Sequence, residues 1–488
     1  MNSTALHAET LEKDKIPFLL KCVYGFGAIV NNLLAAAIGG MVIVLNLGLS
    51  MNPALVGLLG ALPRLTDAIT DPLMGYISDR TRSRWGRRRP YIFCGAILTG
   101  IFFIILWQLP EGQSESFYFW YFLIGSLIFY LAYTMFATPW VALGYELTPD
   151  YHERTRLMAT QNFMGQLAYL VSPWFLWFMQ HEALFDNMLE GAGYLAMIIG
   201  AFTIGVGILP AIFLKEPQAS LFEKQSKALN QVEPPMSSIK DFFKGFAITI
   251  SFKPFLALCI ATFLVFNGFI MVASFQSYVI IYYVFAGNQS LGAEYAGWAG
   301  TVLGLSAFVV ILVTAKLSSL YGKRKAFFIT IGIATFGYCL KWFCYDPNNP
   351  ALLLLPVPLY AFGLGSLFTL VGSMVADVCD ADELNTGQRR EGMYGSIFWW
   401  VVKLGQAVAL AAGGVLLNVT GFDVDLGSAQ SDDALMLMRV FDAFVPAVCS
   451  FIAILVIAKY PITEESAAET RQQLEVRRGS INVADELG

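Results

Sequence analysis

The chain has 488 residues, of which 56% are hydrophobic and 14% charged, and its mean hydropathy is +0.59. That balance excludes a water-soluble domain of this length and makes the bilayer the solvent. The formal net charge of −5 mixes basic and acidic loops and identifies no nucleic-acid partner.

A spanning helix needs roughly 20 mainly apolar residues. In chain order, apolar stretches fall at 18–47, 54–78, 91–109, 118–147, 157–180, 193–214, 254–286, 295–315, 326–345, 351–376, 393–418 and 440–458. The expected architecture is an all-α membrane protein of twelve transmembrane helices. Residues 1–15 carry Glu9, Glu12 and Asp14 and lack the basic start of a cleavable signal peptide, so the first helix is expected to remain.

Lys and Arg set orientation, because basic loops stay on the cytoplasmic side. Segments 79–89, 150–156, 215–253, 316–325 and 388–390 hold clusters of them, whereas 48–53, 110–117, 181–192, 287–294, 346–350 and 419–434 hold none. Both termini are then cytoplasmic. The one long hydrophilic interruption, 215–253, divides the chain into an N-terminal bundle at 16–214 and a C-terminal bundle at 254–460, with a cytoplasmic N-terminus at 1–15 and a cytoplasmic tail at 461–488. The tail reads as a short surface helix or disorder without an assigned role.

The two halves share features at one separation. Gly86-Arg87-Arg88 is matched by Gly322-Lys323-Arg324, and the segment from Glu146 to Arg154 by that from Asp382 to Arg390, both 236 residues apart. A common offset points to two related six-helix bundles.

Ionisable groups in the hydrocarbon region are functional candidates by default. Arg64, Asp67 and Asp71 recur at i, i+3 and i+7, which places them on one face of the second helix. Two acids and one guanidinium leave a formal −1, so a proton or Na⁺ drawn from water would neutralise the site. Pro72 removes a hydrogen bond from the helix and frees a carbonyl beside the acids. A buried Arg–Asp pair that only fixes packing is the simpler alternative.

Lys403, ten residues into the eleventh helix, needs an acid, a solute oxygen or water. Lys21, Lys341 and Arg439 lie close enough to helix ends to snorkel. Asn31 and Asn32 on the first helix, and Gln161 and Asn162 on the fifth, could hold solute hydroxyls or tie helices together. Tyr24, Trp140, Trp399 and Trp400 could stack on a sugar face, while Trp174, Trp177 and Tyr282 read as packing or interfacial belt. The seven cysteines lie in or beside apolar segments and read as buried free thiols, with no disulfide or metal role. The three histidines, His7, His152 and His181, lie outside the spans, and no hydrolase or metalloprotease motif is present, which argues against an enzyme.

Three stretches resemble the glycoside–pentoside–hexuronide:cation symporters, the melibiose-carrier type of the major facilitator superfamily. They are Arg64 to Pro90, Ala376 to Gly392 followed by Lys403-Leu-Gly405-Gln406, and the opening Tyr24-Gly25-Phe26-Gly27. The resemblance implies a major facilitator fold, symport of a sugar or glycoside with H⁺ or Na⁺, no cofactor, a monomer, and residence in a bacterial inner membrane. It implies a cation site at Asp67 and Asp71, with Thr138 and helix carbonyls able to complete a Na⁺ shell. It places Arg64 and Lys403 near the solute, where Gln406 follows Lys403 in the motif. It makes Asp79, Arg87 and Arg88, with Asp382, Arg389, Arg390 and Glu391 in the second half, a cytoplasmic gating set.

This chain has Asn32, Ala137 and Asn162 where the galactoside carriers of that family have two acids and an arginine. The galactoside site is therefore not kept in kind. A lipid or lysolipid carrier on the same scaffold is the alternative.

Overall fold

The computed structural model describes residues 15–148, 151–216, 248–386 and 391–477. Every regular element among them is helical. In chain order these are α1 (Phe18–Met41), α2 (Ile43–Leu47), α3 (Pro53–Arg80), α4 (Arg89–Leu106), α5 (Glu115–Glu146), α6 (Tyr151–Val171), α7 (Phe175–Met179), α8 (Met188–Gly207) and α9 (Leu209–Phe213). There follow α10 (Lys253–Tyr278), α11 (Gln289–Tyr321), α12 (Lys323–Cys344), α13 (Val357–Thr386), α14 (Glu391–Val419), α15 (Asp432–Ala458) and α16 (Glu464–Arg477).

Among the described residues ten helical stretches are long and apolar enough to span a membrane. The expected spans 54–78 and 157–180 are not among them. α3 occupies the first but carries Arg64, Asp67 and Asp71. α6 occupies the second and begins with Glu153, Arg154 and Arg156, then gives way at Val171 to a 3₁₀ turn at Ser172–Trp174 and the short α7. Both helices exchange apolarity for polar groups, which is what a helix lining a wet site must do.

The chain forms two compact units. One comprises residues 1–51 and 65–233, the other 52–64 and 234–488. In the first, α4 packs on α5 and α8, and α1 on α6. In the second, α10 packs on α14 and α15, and α12 on α13 and α15. The core of the second unit runs through Phe255, Phe266, Phe327, Leu370, Met374, Tyr394 and Phe398. The early part of α3 groups with the second unit, a division that the loop at 215–253 does not foretell.

Helix starts follow the sequence. Ser114, Asn187, Asn288 and Ser431 each accept a backbone N–H of the first turn, from Phe117, Glu190, Leu291 and Ala434 respectively, which satisfies donors the helix cannot satisfy itself. The last turn of α10 continues as a π-helical turn, Val279–Val284. The tail beyond Pro461 contains α16, which lies on α13 with Leu474 buried, so this part of it is packed structure.

Candidate functional site

α3 carries the acids. Asp67 and Arg64 are buried, and Asp71 is half-buried and accepts a hydrogen bond from Thr134 Oγ1 on α5 at 2.9 Å. Thr138, one turn further along α5, lies beside Gly75 of α3. The hydroxyl that reaches Asp71 is thus Thr134, a residue the motif comparison does not single out. The hydroxyl oxygen's lone pairs stay available to a cation beside the carboxylate.

Asn31 and Asn32 of α1 continue this polar seam. Asn31 donates to Asn32 Oδ1 at 3.1 Å and accepts from Tyr133 Oη of α5 at 2.7 Å. Asn32 points at Gly165 of α6, where a Cβ would lie 2.6 Å from Nδ2. Gln161, one turn before Gly165, has a buried Oε1 that no described group satisfies, and Asn162 beside it is exposed. The seam brings together Asn31, Asn32, Tyr133, Thr134 and Asp71.

Tyr24 and Trp140 stand apart from it. Both are 1% exposed, their rings stack at 5.2 Å, and the Trp140 indole N–H donates to the Tyr24 carbonyl at 3.1 Å. Their rings lie against each other in the interior of the first unit. The contact depends on glycine: a Cβ at Gly27 would lie 2.2 Å from Trp140 Nε1, and one at Gly144 1.9 Å from Tyr24 Oη.

In the second unit, Trp399 and Trp400 of α14 are exposed, and Trp399 stacks on Phe368 at 5.8 Å. Lys403 and Gln406 are half-buried on the same helix. Asp382 of α13 is buried. Arg389 and Arg390 lie outside the described residues, as do the side chains of Asp79 and Glu391.

The basic turn between α3 and α4 converges on one acid, Glu146, which in the sequence stands out only as part of the repeat. Arg87 and Arg88 each place Nη2 on Glu146 Oε1, at 2.7 and 2.8 Å. In the second unit Lys323 pairs with Asp377 at 2.6 Å. The repeat offset points to Asp382 as the equivalent of Glu146, but Asp377 is the acid that Lys323 reaches.

Of three basic residues expected to snorkel, Lys341 is sequestered, and Lys21 and Arg439 are partly exposed with partners in their own unit. Lys341 is 1% exposed and lies 2.6 Å from Asp442 Oδ2, itself buried. Arg439 lies over the rings of Tyr283 and Trp342, 4.0 and 4.3 Å from their centroids, and donates to the Trp342 carbonyl. Lys21 pairs with buried Glu153 at 2.7 Å. Nearness to a helix end gives a side chain the option of reaching water, and for Lys341 and Lys21 a buried acid on a neighbouring helix takes its place.

Ten apolar helical stretches among the described residues, with ionisable side chains on α3 and α14, describe a multi-pass membrane protein. A family model described as MFS/sugar transport protein matches residues 23–464, and the chain belongs to that family of major facilitator transporters. Among the curated relatives, a symporter of Synechocystis is 26% identical over 98% of this chain and 100% of its own. The isoprimeverose transporter of Lactiplantibacillus pentosus is 23% identical over 90% and 88%. The sphingosine-1-phosphate transporter of Xenopus tropicalis is 24% identical over 97% and 94%. The fold is that of a solved D-xylose–proton symporter, with a TM-score of 0.64 at 15% identity, covering 91% of this chain and 98% of that one.

Proposed function

We propose that this chain is a symporter that moves a sugar or glycoside with a monovalent cation, H⁺ or Na⁺, by alternating access. It works as a monomer in a bacterial inner membrane with both termini cytoplasmic. The observation that carries this reading is the placement of two carboxylates on one face of α3, Asp67 buried and Asp71 half-buried, with Asp71 held by Thr134. Such a face is costly empty and relieved by one cation. Asn31, Asn32, Gln161, Asn162, Arg64, Lys403 and Gln406 supply the amides and cations that bind hydroxylated solutes, and the isoprimeverose relative supports a glycoside.

The deciding experiment is uptake of isoprimeverose and of methyl glucuronide into proteoliposomes under imposed H⁺ or Na⁺ gradients. Symport predicts that one gradient accelerates uptake and that Asp71→Asn removes the acceleration. Uptake indifferent to both gradients would overturn it.

An amphiphile carrier is the second reading, supported by the sphingosine-1-phosphate relative. A melting-temperature rise with lysophospholipid and none with any sugar would favour it.

A further inference from the structure

The first unit ties its own exit to its basic turn. Glu216, two residues beyond Leu214, folds back onto the start of α4. Its carboxylate accepts the backbone N–H groups of Arg87 at 2.9 Å, Arg88 at 2.8 Å and Arg89 at 3.0 Å. In return Arg89 donates from Nε to the Ala211 carbonyl at 2.6 Å and from Nη2 to that of Ile212 at 3.0 Å. One carboxylate thus satisfies the open N–H groups at one helix start, and one guanidinium the open carbonyls at the end of α9. Gly86, at φ +104°, has no room for a Cβ, which would lie 2.6 Å from the Glu216 carboxyl carbon.

The second unit holds a related arrangement. Gly322 has φ +77°, and a Cβ there would lie 2.7 Å from Glu464 Oε2. Arg324 Nη2 donates to the carbonyl of Ala458, the last residue of α15. Glu464 is presented by a capped turn, in which Thr463 and Ser466 exchange side-chain to backbone hydrogen bonds. In both units a basic side chain from a glycine turn holds the end of the unit's last long apolar helical segment, and a glutamate from the chain just beyond returns to the glycine. These glutamates do not obey the 236-residue offset, so the sequence repeat does not reveal them.

We propose that Glu216 is a positioning residue for the gating turn. By fixing the backbone of Arg87, Arg88 and Arg89, the Glu216 carboxylate aims two guanidinium groups at the single oxygen Glu146 Oε1. The start of the 215–253 linker and the Arg87/Arg88 contact then engage and release together. This rests on the gating role of Arg87 and Arg88. It differs from simple capping, in which Glu216 would stabilise α4 with no effect on the contact to Glu146.

Hydrogen–deuterium exchange on the full-length protein in nanodiscs, with no solute, tests the lock. Glu216→Gln is expected to speed exchange of the Arg87–Arg89 amides about tenfold, the scale of a lost helix cap, and to leave the amides after Gly322 unchanged. Glu216→Asp, which keeps the charge, restores part of the protection. Coupling is read from melting temperatures: Glu146→Gln lowers the wild-type value, and adds little in the Glu216→Gln background because its partners are already misplaced. Unchanged exchange in Glu216→Gln overturns the lock. Faster exchange with fully additive melting shifts reduces Glu216 to a cap and overturns the positioning role. The underlying gating reading fails separately, if Arg87→Ala and Arg88→Ala leave proteoliposome uptake unaltered while the exchange result stands.

Discussion

Lys341 on α12 and Asp442 on α15 form an ion pair of 2.6 Å whose two side chains are 1% and 0% exposed. The Tyr345 hydroxyl donates to the same Asp442 oxygen at 2.6 Å. The Lys341 ammonium lies 5.6 and 5.4 Å from the ring centroids of Tyr345 and Tyr360, and Tyr360 in turn donates to Gln276 of α10 at 3.3 Å. Four elements of the second unit meet at one charge pair.

A buried pair is weak evidence for stability, yet removing one partner strands the other charge at a cost of about 3–5 kcal/mol. Lys341→Met is therefore expected to lower the melting temperature strongly. Lys341→Met with Asp442→Leu should recover most of the loss, as read by scanning fluorimetry in detergent. A double variant as unstable as the single one would show that the pair does more than neutralise itself.

Thr134 donates to Asp71, and hydrogen bonds to charged groups contribute about 1.5–3 kcal/mol. Thr134→Val should weaken the apparent affinity for the coupling ion by about tenfold or more, measured as the ion concentration at half-maximal uptake. Thr134→Ser should behave nearly as wild type. Thr138→Val, whose side chain lies beside Gly75, should have the smaller effect.

Glu153 gives a pH signature. Burial pushes its carboxyl up, but hydrogen bonds from Lys21, the Ile16 N–H and Arg156, with the Lys21 charge, outweigh burial and hold it below the ordinary 4.5. A lowered acid stabilises the fold above its unfolded pKa, and that stability is lost as pH falls through the folded pKa. Wild-type melting temperature should drop between pH 5 and lower values by more than that of Glu153→Gln. Parallel curves for the two proteins would refute the assignment.

Gly27 and Gly144 admit the Tyr24–Trp140 pair. Gly27→Val places its Cβ 2.2 Å from Trp140 Nε1, and such overpacking costs about 1–3 kcal/mol or more. The expected outcome is reduced recovery of folded protein by size-exclusion chromatography, partly relieved by Trp140→Phe. If Gly27→Val behaved as wild type, the close approach of α1 to α5 would be wrong.

What the sequence made legible depended on whether the signal was local. The apolar stretches and the Arg64/Asp67/Asp71 face follow from composition and 3.6-residue periodicity, and the glycines of both turns follow from the repeat. The register between helices is not local. Thr134 and Thr138 are one turn apart on α5, and only packing decides which meets Asp71. Lys341 has the same distance from a helix end whether it reaches for water or for Asp442, and nothing around residue 341 announces residue 442. Tyr24 and Trp140 belong to types that stack on sugars, but the glycines opposite them turn the rings onto each other.

The placement of Glu464 bears on biosynthesis. Gly322 and Lys323 leave the ribosome long before α16, so the packing of α16 on α13 is a late step of assembly. Shortening the chain before residue 464 would remove a late closing step of assembly, whereas a tag added after α16 leaves that step in place.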